Sequence, residues 1–282
     1  MDPRQEVRSR AAEALRKIRS QRPLVHHITN LVVMNDTANV TLHVGALPVM
    51  AHAREEVADM VGMAGALVIN IGTLEPNWVE AMRIAGRRAN ERGIPVVLDP
   101  VGAGATPYRT ETARSLLRDV RAAVVRGNSG EVGSLFGTGG VVKGVESVGG
   151  VEDPGALAQG ASRAWGAVVA ITGKRDIISD GTRTLGVDNG HRWLITLTGT
   201  GCMATTMVAA FAAVEPDYLV AAAAGLACFG LAAEVAAREA RGPGSFKVAL
   251  FDALYNMTPE ELERGAQIEV LAGQEGRPYG RA

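Results

Sequence analysis

Cysteine is nearly absent from this chain of 282 residues, with Cys202 and Cys228 its two examples. Two thiols make neither a disulfide framework nor a structural zinc site, so the fold must rest on an apolar core. Charge of neither sign dominates: 29 Lys and Arg against 30 Asp and Glu leave a formal net charge of -1. Such a balance gives no electrostatic ground for a nucleic-acid or anionic-membrane partner. An uninterrupted apolar run long enough for a bilayer is also missing. The best candidate, residues 219–233, is short, rich in Ala and Gly, and followed by Glu234 and Arg238, so a buried core helix is expected there. The first 22 residues hold many Arg and Glu and no apolar centre, unlike a secretory leader. Val7, Ala11, Leu15 and Ile18 instead fall on one face of an expected amphipathic helix. The chain reads as cytoplasmic. Repeats, low-complexity tracts and composition breaks are lacking, so residues 1–282 are expected to form one domain, with a helix over about 1–22 and a frayed tail after about 273.

What is present is a core-forming composition, 47% hydrophobic, arranged in an alternating pattern. Strands are expected at 24–30, 46–50, 66–73, 95–99, 122–126 and 168–172. Helices are expected at 32–44, from Glu55 to Met60, through Val79, Met82 and Ala85, and at 110–117, 129–136 and 156–165. The apolar run Ala66-Leu67-Val68-Ile69 suits a parallel strand covered on both faces. Strand and helix alternating at this spacing predict a three-layer α/β/α fold around a mostly parallel sheet. Short antiparallel strands are expected at 176–179, 184–187 and 192–197, joined by turns at Asp180-Gly181 and Asn189-Gly190. The loop between Gly139-Gly140 and Gly149-Gly150, which carries Lys143, reads only as flexible. Met60, Met63, Phe229 and Leu231 are expected in the core rather than on a partner surface.

The sequence is organised around Leu197-Thr198-Gly199-Thr200-Gly201-Cys202, which precedes a long run of small and apolar residues. A polar strand ending near Thr198, a glycine turn and a helix from about Gly201 would aim backbone N–H groups and a positive helix end at one point, an anion site. Cys202 in the first helical turn is expected to feel the same field, which favours thiolate. The plainer reading is a glycine-rich connection with a buried structural cysteine.

In a doubly wound sheet, ligands bind beyond the carboxyl ends of the strands, and polar residues gather there. Asn30, Asn35, Asp36, Asn39 and His43 follow the first strand, either as local caps or as the lining of a polar pocket. Met50 ends the second strand, as core filler or as a pliable pocket wall. Asp99-Pro100-Val101-Gly102-Ala103-Gly104-Ala105 places a carboxylate beside a glycine loop, and Arg126-Gly127-Asn128-Ser129-Gly130-Glu131 adds a cation, an amide and a second carboxylate. Asn128 and Glu131 have capping-box spacing; equally, Asp99 and Glu131 suit Mg²⁺, which takes one or two carboxylates and otherwise water and phosphate oxygens. Thr172 or Lys174 can reach a phosphate. Two carboxylates, an arginine and an anion-binding helix start are the parts of a phosphoryl-transfer site. Neither a Walker run nor a protein-kinase glycine loop occurs, so ATP must bind in another way.

The stretches 26–39, 45–50, 72–74, 99–106, 126–131, 172–173, 198–202 and 242–246, taken in order, resemble the hydroxyethylthiazole kinases of thiamine salvage, and the similarity runs from about Leu24 to Val270. The resemblance implies a ribokinase-like fold, Mg²⁺ and ATP, and phosphorylation of the primary alcohol of 4-methyl-5-(2-hydroxyethyl)thiazole. It also implies a homotrimer with active sites between subunits. By position, Asn30, Val32, Met50 and Gly199 match the substrate site. Arg126, Thr172, Gly199 and Gly201 match the ATP site, Asp99 and Glu131 the acidic pair near magnesium, and Cys202 the base position; Lys174 takes no role. The wider superfamily has Asp where Cys202 stands, so a slow kinase is expected, with a thiol that orients the alcohol or accepts its proton weakly. Two other classes remain open: a hydrolase or transferase with Cys202 as nucleophile and His26, His27 or His43 as base, and a non-catalytic nucleotide or thiazole sensor.

Overall fold

The computed structural model describes residues 2–137, 142–143, 146–147 and 153–272. Continuous apolar runs become the buried strands. β1 (Leu24–Ile28) pairs in parallel with β2 (Leu47–Val49) on one side and β3 (Ala66–Asn70) on the other. The parallel set continues through β4 (Val96–Asp99), β5 (Val124–Asn128) and, past a small ribbon of β6 (Val142–Lys143) and β7 (Glu146–Ser147), β8 (Val168–Thr172). Three antiparallel strands, β9 (Asp176–Ser179), β10 (Thr184–Val187) and β11 (Ile268–Ala272), complete a nine-stranded sheet in the order β11-β10-β9-β8-β5-β4-β3-β1-β2.

Alternate residues of each strand face opposite layers. Ala66, Val68, Val97 and Val124 pack with α1 (Pro3–Gln21), α2 (Met34–Val44), α8 (Thr200–Ala212), α9 (Tyr218–Glu239), α10 (Pro243–Asn256) and α11 (Pro259–Gly265). Leu67, Ile69, Leu98 and Val125 face α3 (Val57–Gly62), α4 (Pro76–Arg92) and α5 (Pro107–Asp119), while Val169 and Ile171 face α6 (Ser129–Phe136) and α7 (Pro154–Trp165). This is the expected three-layer arrangement. Val7, Ala11, Leu15 and Ile18 are fully buried, as the amphipathic reading of α1 requires.

Several expectations change. Residues 192–197 do not make a strand; Arg192–Thr196 is a 3₁₀ helix, and no polar strand precedes Gly199. The sheet edge beside β10 is taken by β11, so that segment has no ladder to join. The helices α10 and α11 and the strand β11 were not foreseen. Met63 is 67% exposed and Met60 half-buried, whereas Phe229 and Leu231 are in the core as expected. α9 runs to 22 residues, which with its composition satisfies the criteria for a bilayer span, but 83% of its apolar window is buried in the fold. An inner helix must be apolar all round because protein covers every side. The tail after 273 and the glycines flanking Lys143 lie outside the described residues.

Candidate active site

The parallel strands deliver their last residues to one edge. Asn70 ends β3, Asp99 ends β4, Arg126 lies within β5, Thr172 ends β8, and Asn30 stands two residues beyond β1. α8 starts at the same edge, with Gly199 as N-cap at φ 79°. A Cβ at Gly199 would lie 2.0 Å from Val33 Cγ1, so glycine is required both for the left-handed backbone and for the close approach.

The buried polar groups here form one connected network. Asn30 Nδ2 donates to Asn70 Oδ1 at 2.9 Å, and Asn70 Nδ2 donates to Asp99 Oδ2 at 2.8 Å and to Cys202 Sγ at 3.2 Å. Asn30 Nδ2 also lies 3.5 Å from Cys202 Sγ, and Thr205 Oγ1 donates to Asp99 Oδ2 at 2.8 Å. Asn30 Oδ1 accepts the backbone N–H groups of Val32 and Val33 at 3.1 and 3.2 Å, which makes this asparagine a local cap and a pocket residue at once.

Arg126 reaches across the edge. Its Nη2 donates to Thr172 Oγ1, its Nη1 is 4.0 Å from Asp99 Oδ1, and its guanidinium lies against Gly201, where a Cβ would be 2.7 Å from Nη1. The cation, the helix start and Thr172 therefore border the same groove. Glu131 makes the capping box: its backbone N–H donates to Asn128 Oδ1 at 2.9 Å, and its Oε2 accepts from Asn128 N at 2.8 Å. Glu131 Oε1 accepts from Gly102 N at 2.8 Å, which ties the loop after Asp99 to α6.

Burial decides the protonation states. Loss of water pushes the Asp99 carboxyl up against the opposing pull of Arg126, and raises Glu131 to about 7 with help from the Asp99 charge. The thiol of Cys202 is pushed up to about 12, first by burial and then by Asp99, although Asn70, Arg126 and Asn30 act the other way. Within the first turn of α8, desolvation outweighs the field of the helix start, which by itself favours thiolate. The nucleophile reading falls with it. His26 bonds Ala51 O at 2.8 Å and His27 bonds Thr41 Oγ1 at 3.2 Å, burial lowers both rings and His43, and the groups around Cys202 are the Asn30 and Asn70 amides and the Asp99 carboxyl.

No cluster of three or more His, Cys, Asp or Glu able to hold a metal occurs among the described residues. The acidic pair instead offers Asp99 Oδ1, which is buried and accepts no hydrogen bond, and Glu131, whose oxygens each keep a lone pair after one N–H bond. Such a donor set fits a cation that completes its shell with water and phosphate. Met50 sits just past β2 at this edge, half-buried, while Val32 is 69% exposed beside Asn30. Lys174 is exposed and has no place in the network. Asn70, Thr205 and Arg109 were missed. An asparagine closing an apolar strand was the available signal for Asn70, since a buried amide demands partners.

A mostly parallel sheet covered on both faces, with a guanidinium, buried acids and a helix start at its carboxyl edge, is the architecture of the ribokinase-like fold. A ribokinase-like superfamily protein from Enterococcus faecalis V583 shares this fold with a TM-score of 0.60 at 13% identity, over 84% of this chain and 87% of that one. Closer relatives fix the branch. The sequence profile of the Hydroxyethylthiazole kinase family matches residues 15–260. The hydroxyethylthiazole kinase of Desulforudis audaxviator (strain MP104C) is 68% identical over 266 residues, covering 94% of this chain and 97% of that protein. That of Roseiflexus sp. (strain RS-1) is 68% identical over 268 residues, or 95% and 98%. The solved hydroxyethylthiazole kinase protein from Pyrococcus horikoshii OT3 superposes with a TM-score of 0.86 at 46% identity, over 93% and 98%. The chain belongs to the hydroxyethylthiazole kinase family.

Proposed function

We propose that this chain transfers the γ-phosphoryl group of ATP, with Mg²⁺, to the primary alcohol of 4-methyl-5-(2-hydroxyethyl)thiazole, as a cytoplasmic enzyme of thiamine salvage. The observation that carries the reading is the Arg126 guanidinium seated against Gly201 at the start of α8, 4.0 Å from buried Asp99. In it, Arg126, Thr172 and the amides of the 199–202 turn hold the triphosphate, with Gly199 and Gly201 letting backbone and guanidinium approach. Asp99 and Glu131 would hold Mg²⁺, which when bound would supply positive charge against the phosphates. Asn30, Val32, Met50 and Gly199 form the alcohol side.

Cys202 faces the network as a neutral thiol and positions the alcohol, whose proton passes to the transferred phosphoryl group and on to water as the new O–P bond forms. Phosphoryl transfer through a loose transition state makes modest demands on a base, so positioning and charge neutralisation supply most of the rate. A slow kinase is the consequence. Leu31, Val32 and Ile195 are 65%, 69% and 85% exposed near this edge, which supports a homotrimer whose neighbouring subunit covers them and closes the site. Incubation with Mg·ATP and the thiazole alcohol should release ADP and the phosphate ester in equal amounts. ATP-independent turnover, or saturable binding of both ligands with no ADP, overturns the kinase reading. Sedimentation of the protein at three times the chain mass checks the assembly.

A further inference from the structure

Asp99 closes β4 beside Arg126 and the start of α8. The carboxylate is fully buried, and its two oxygens are treated unequally. Oδ2 accepts from Asn70 Nδ2 and from Thr205 Oγ1, both at 2.8 Å. Oδ1 accepts nothing among the described residues and is the oxygen nearest Arg126 Nη1. Both donors are themselves fixed. Asn70 is 1% exposed, and its own carbonyl oxygen accepts from Asn30 Nδ2 and from Gly72 N, each at 2.9 Å. Those two bonds set the amide so that the NH₂ end faces Asp99 and Cys202. Thr205 is fully buried one turn along α8, on the face that carries Cys202.

We infer that Asn70 and Thr205 are positioning residues that pin Asp99 Oδ2 and thereby present Oδ1 to the metal–phosphate groove. The inference rests on the kinase reading above, in which Asp99 holds Mg²⁺. A carboxylate free to rotate about its Cβ–Cγ bond would share its oxygens between Arg126, Cys202 and the groove. Two donors on one oxygen remove that freedom before nucleotide arrives. Partners that orient a metal-binding carboxylate in this way are worth about 10–100-fold in metal affinity. The amide of Asn70 carries a second consequence. Its other hydrogen meets Cys202 Sγ at 3.2 Å, so one side chain aligns the phosphate-side acid with the alcohol-side thiol.

The test uses Thr205→Val, nearly isosteric but without the donor, and Thr205→Ser, which keeps the hydroxyl. ADP binding is titrated by calorimetry with and without Mg²⁺, and unfolding temperature is recorded for each variant. In the unaltered protein Mg²⁺ is expected to tighten ADP binding. The expected result is that Thr205→Val loses about tenfold of that tightening while its Mg-free ADP affinity stays within twofold, and that Thr205→Ser restores it. A purely structural role would lower the unfolding temperature and weaken both titrations together, and that result overturns the inference. Undiminished tightening in folded Thr205→Val overturns it too. An unaltered protein that binds ADP equally with and without Mg²⁺ refutes the metal role of Asp99, and the inference with it. ADP formation in the kinase assay stands or falls separately.

Discussion

Replacing Gly201 by alanine tests the close approach of Arg126 to the start of α8. The new Cβ would lie 2.7 Å from Arg126 Nη1 and 3.2 Å from Nη2, so the guanidinium must retreat by about 0.7 Å to reach ordinary contact. It has little room, because the Arg126 side chain is 11% exposed and is held by Thr172 on one side and faces Asp99 on the other. A displacement of this size at a group that binds the transferred phosphoryl costs about 10–100-fold in rate, or roughly 1.4–2.7 kcal/mol of transition-state stabilisation. Folding responds differently. Alanine in the first turn of α8 gains up to about 1 kcal/mol over glycine, which offsets the strain of moving one side chain. Stability should therefore stay within about 1 kcal/mol while kcat/KM for ATP collapses. Steady-state ADP release at varied ATP, beside a thermal unfolding curve, reads both quantities. A folded Gly201→Ala protein with unaltered kcat/KM for ATP would refute the placement of Arg126 at the phosphates.

Other outcomes follow from the same geometry. Cys202→Ala should lower turnover while leaving ATP affinity nearly intact, measured as kcat and ATP KM. With the thiol pushed up to about 12, alkylation of Cys202 should be slow at pH 7 and rise about tenfold per pH unit up to pH 9 with no plateau, as mass spectrometry of iodoacetamide-treated protein can show. Glu131 is raised from 4.5 to about 7 in the folded chain, so folding favours its protonated form. Its contribution is present below about 4.5 and is lost as pH rises through 7, a change of up to about 3 kcal/mol. The stability advantage of the metal-free native chain over Glu131→Gln should thus shrink from pH 5 to pH 8, by denaturant titration at each pH. Arg109 donates to the carbonyls of Ile71, Val101 and Gly72 at 2.9, 2.9 and 3.0 Å and so ties the loop after Asn70 to the loop after Asp99. Arg109→Ala should cost about 2–3 kcal/mol in urea denaturation and reduce kcat with it.

The parallel core was legible because its signals are local. Runs such as Ala66-Leu67-Val68-Ile69 can be buried on both faces only in a sheet layered with helices, and the strand ends Asp99 and Thr172, with Arg126 two residues inside the end of β5, then fall at one edge by topology. The glycine turn at 199–201 was equally plain, since its conformation demands the residues written there. Segment 192–197 was misread because its apolar residues suit a strand, and only the arrival of β11, some 70 residues later in the chain, took the edge it would have joined.

The sequence by itself determined the layered α/β class, the gathering of polar residues at the carboxyl edge and their types, because these depend on spacing and side-chain chemistry along the chain. The tertiary structure decided the protonation of Cys202 and the role of Asn70 and Thr205. Both depend on how much water is excluded and on which distant side chains share a buried oxygen. Those quantities exist only once β3, β4 and α8 have packed together.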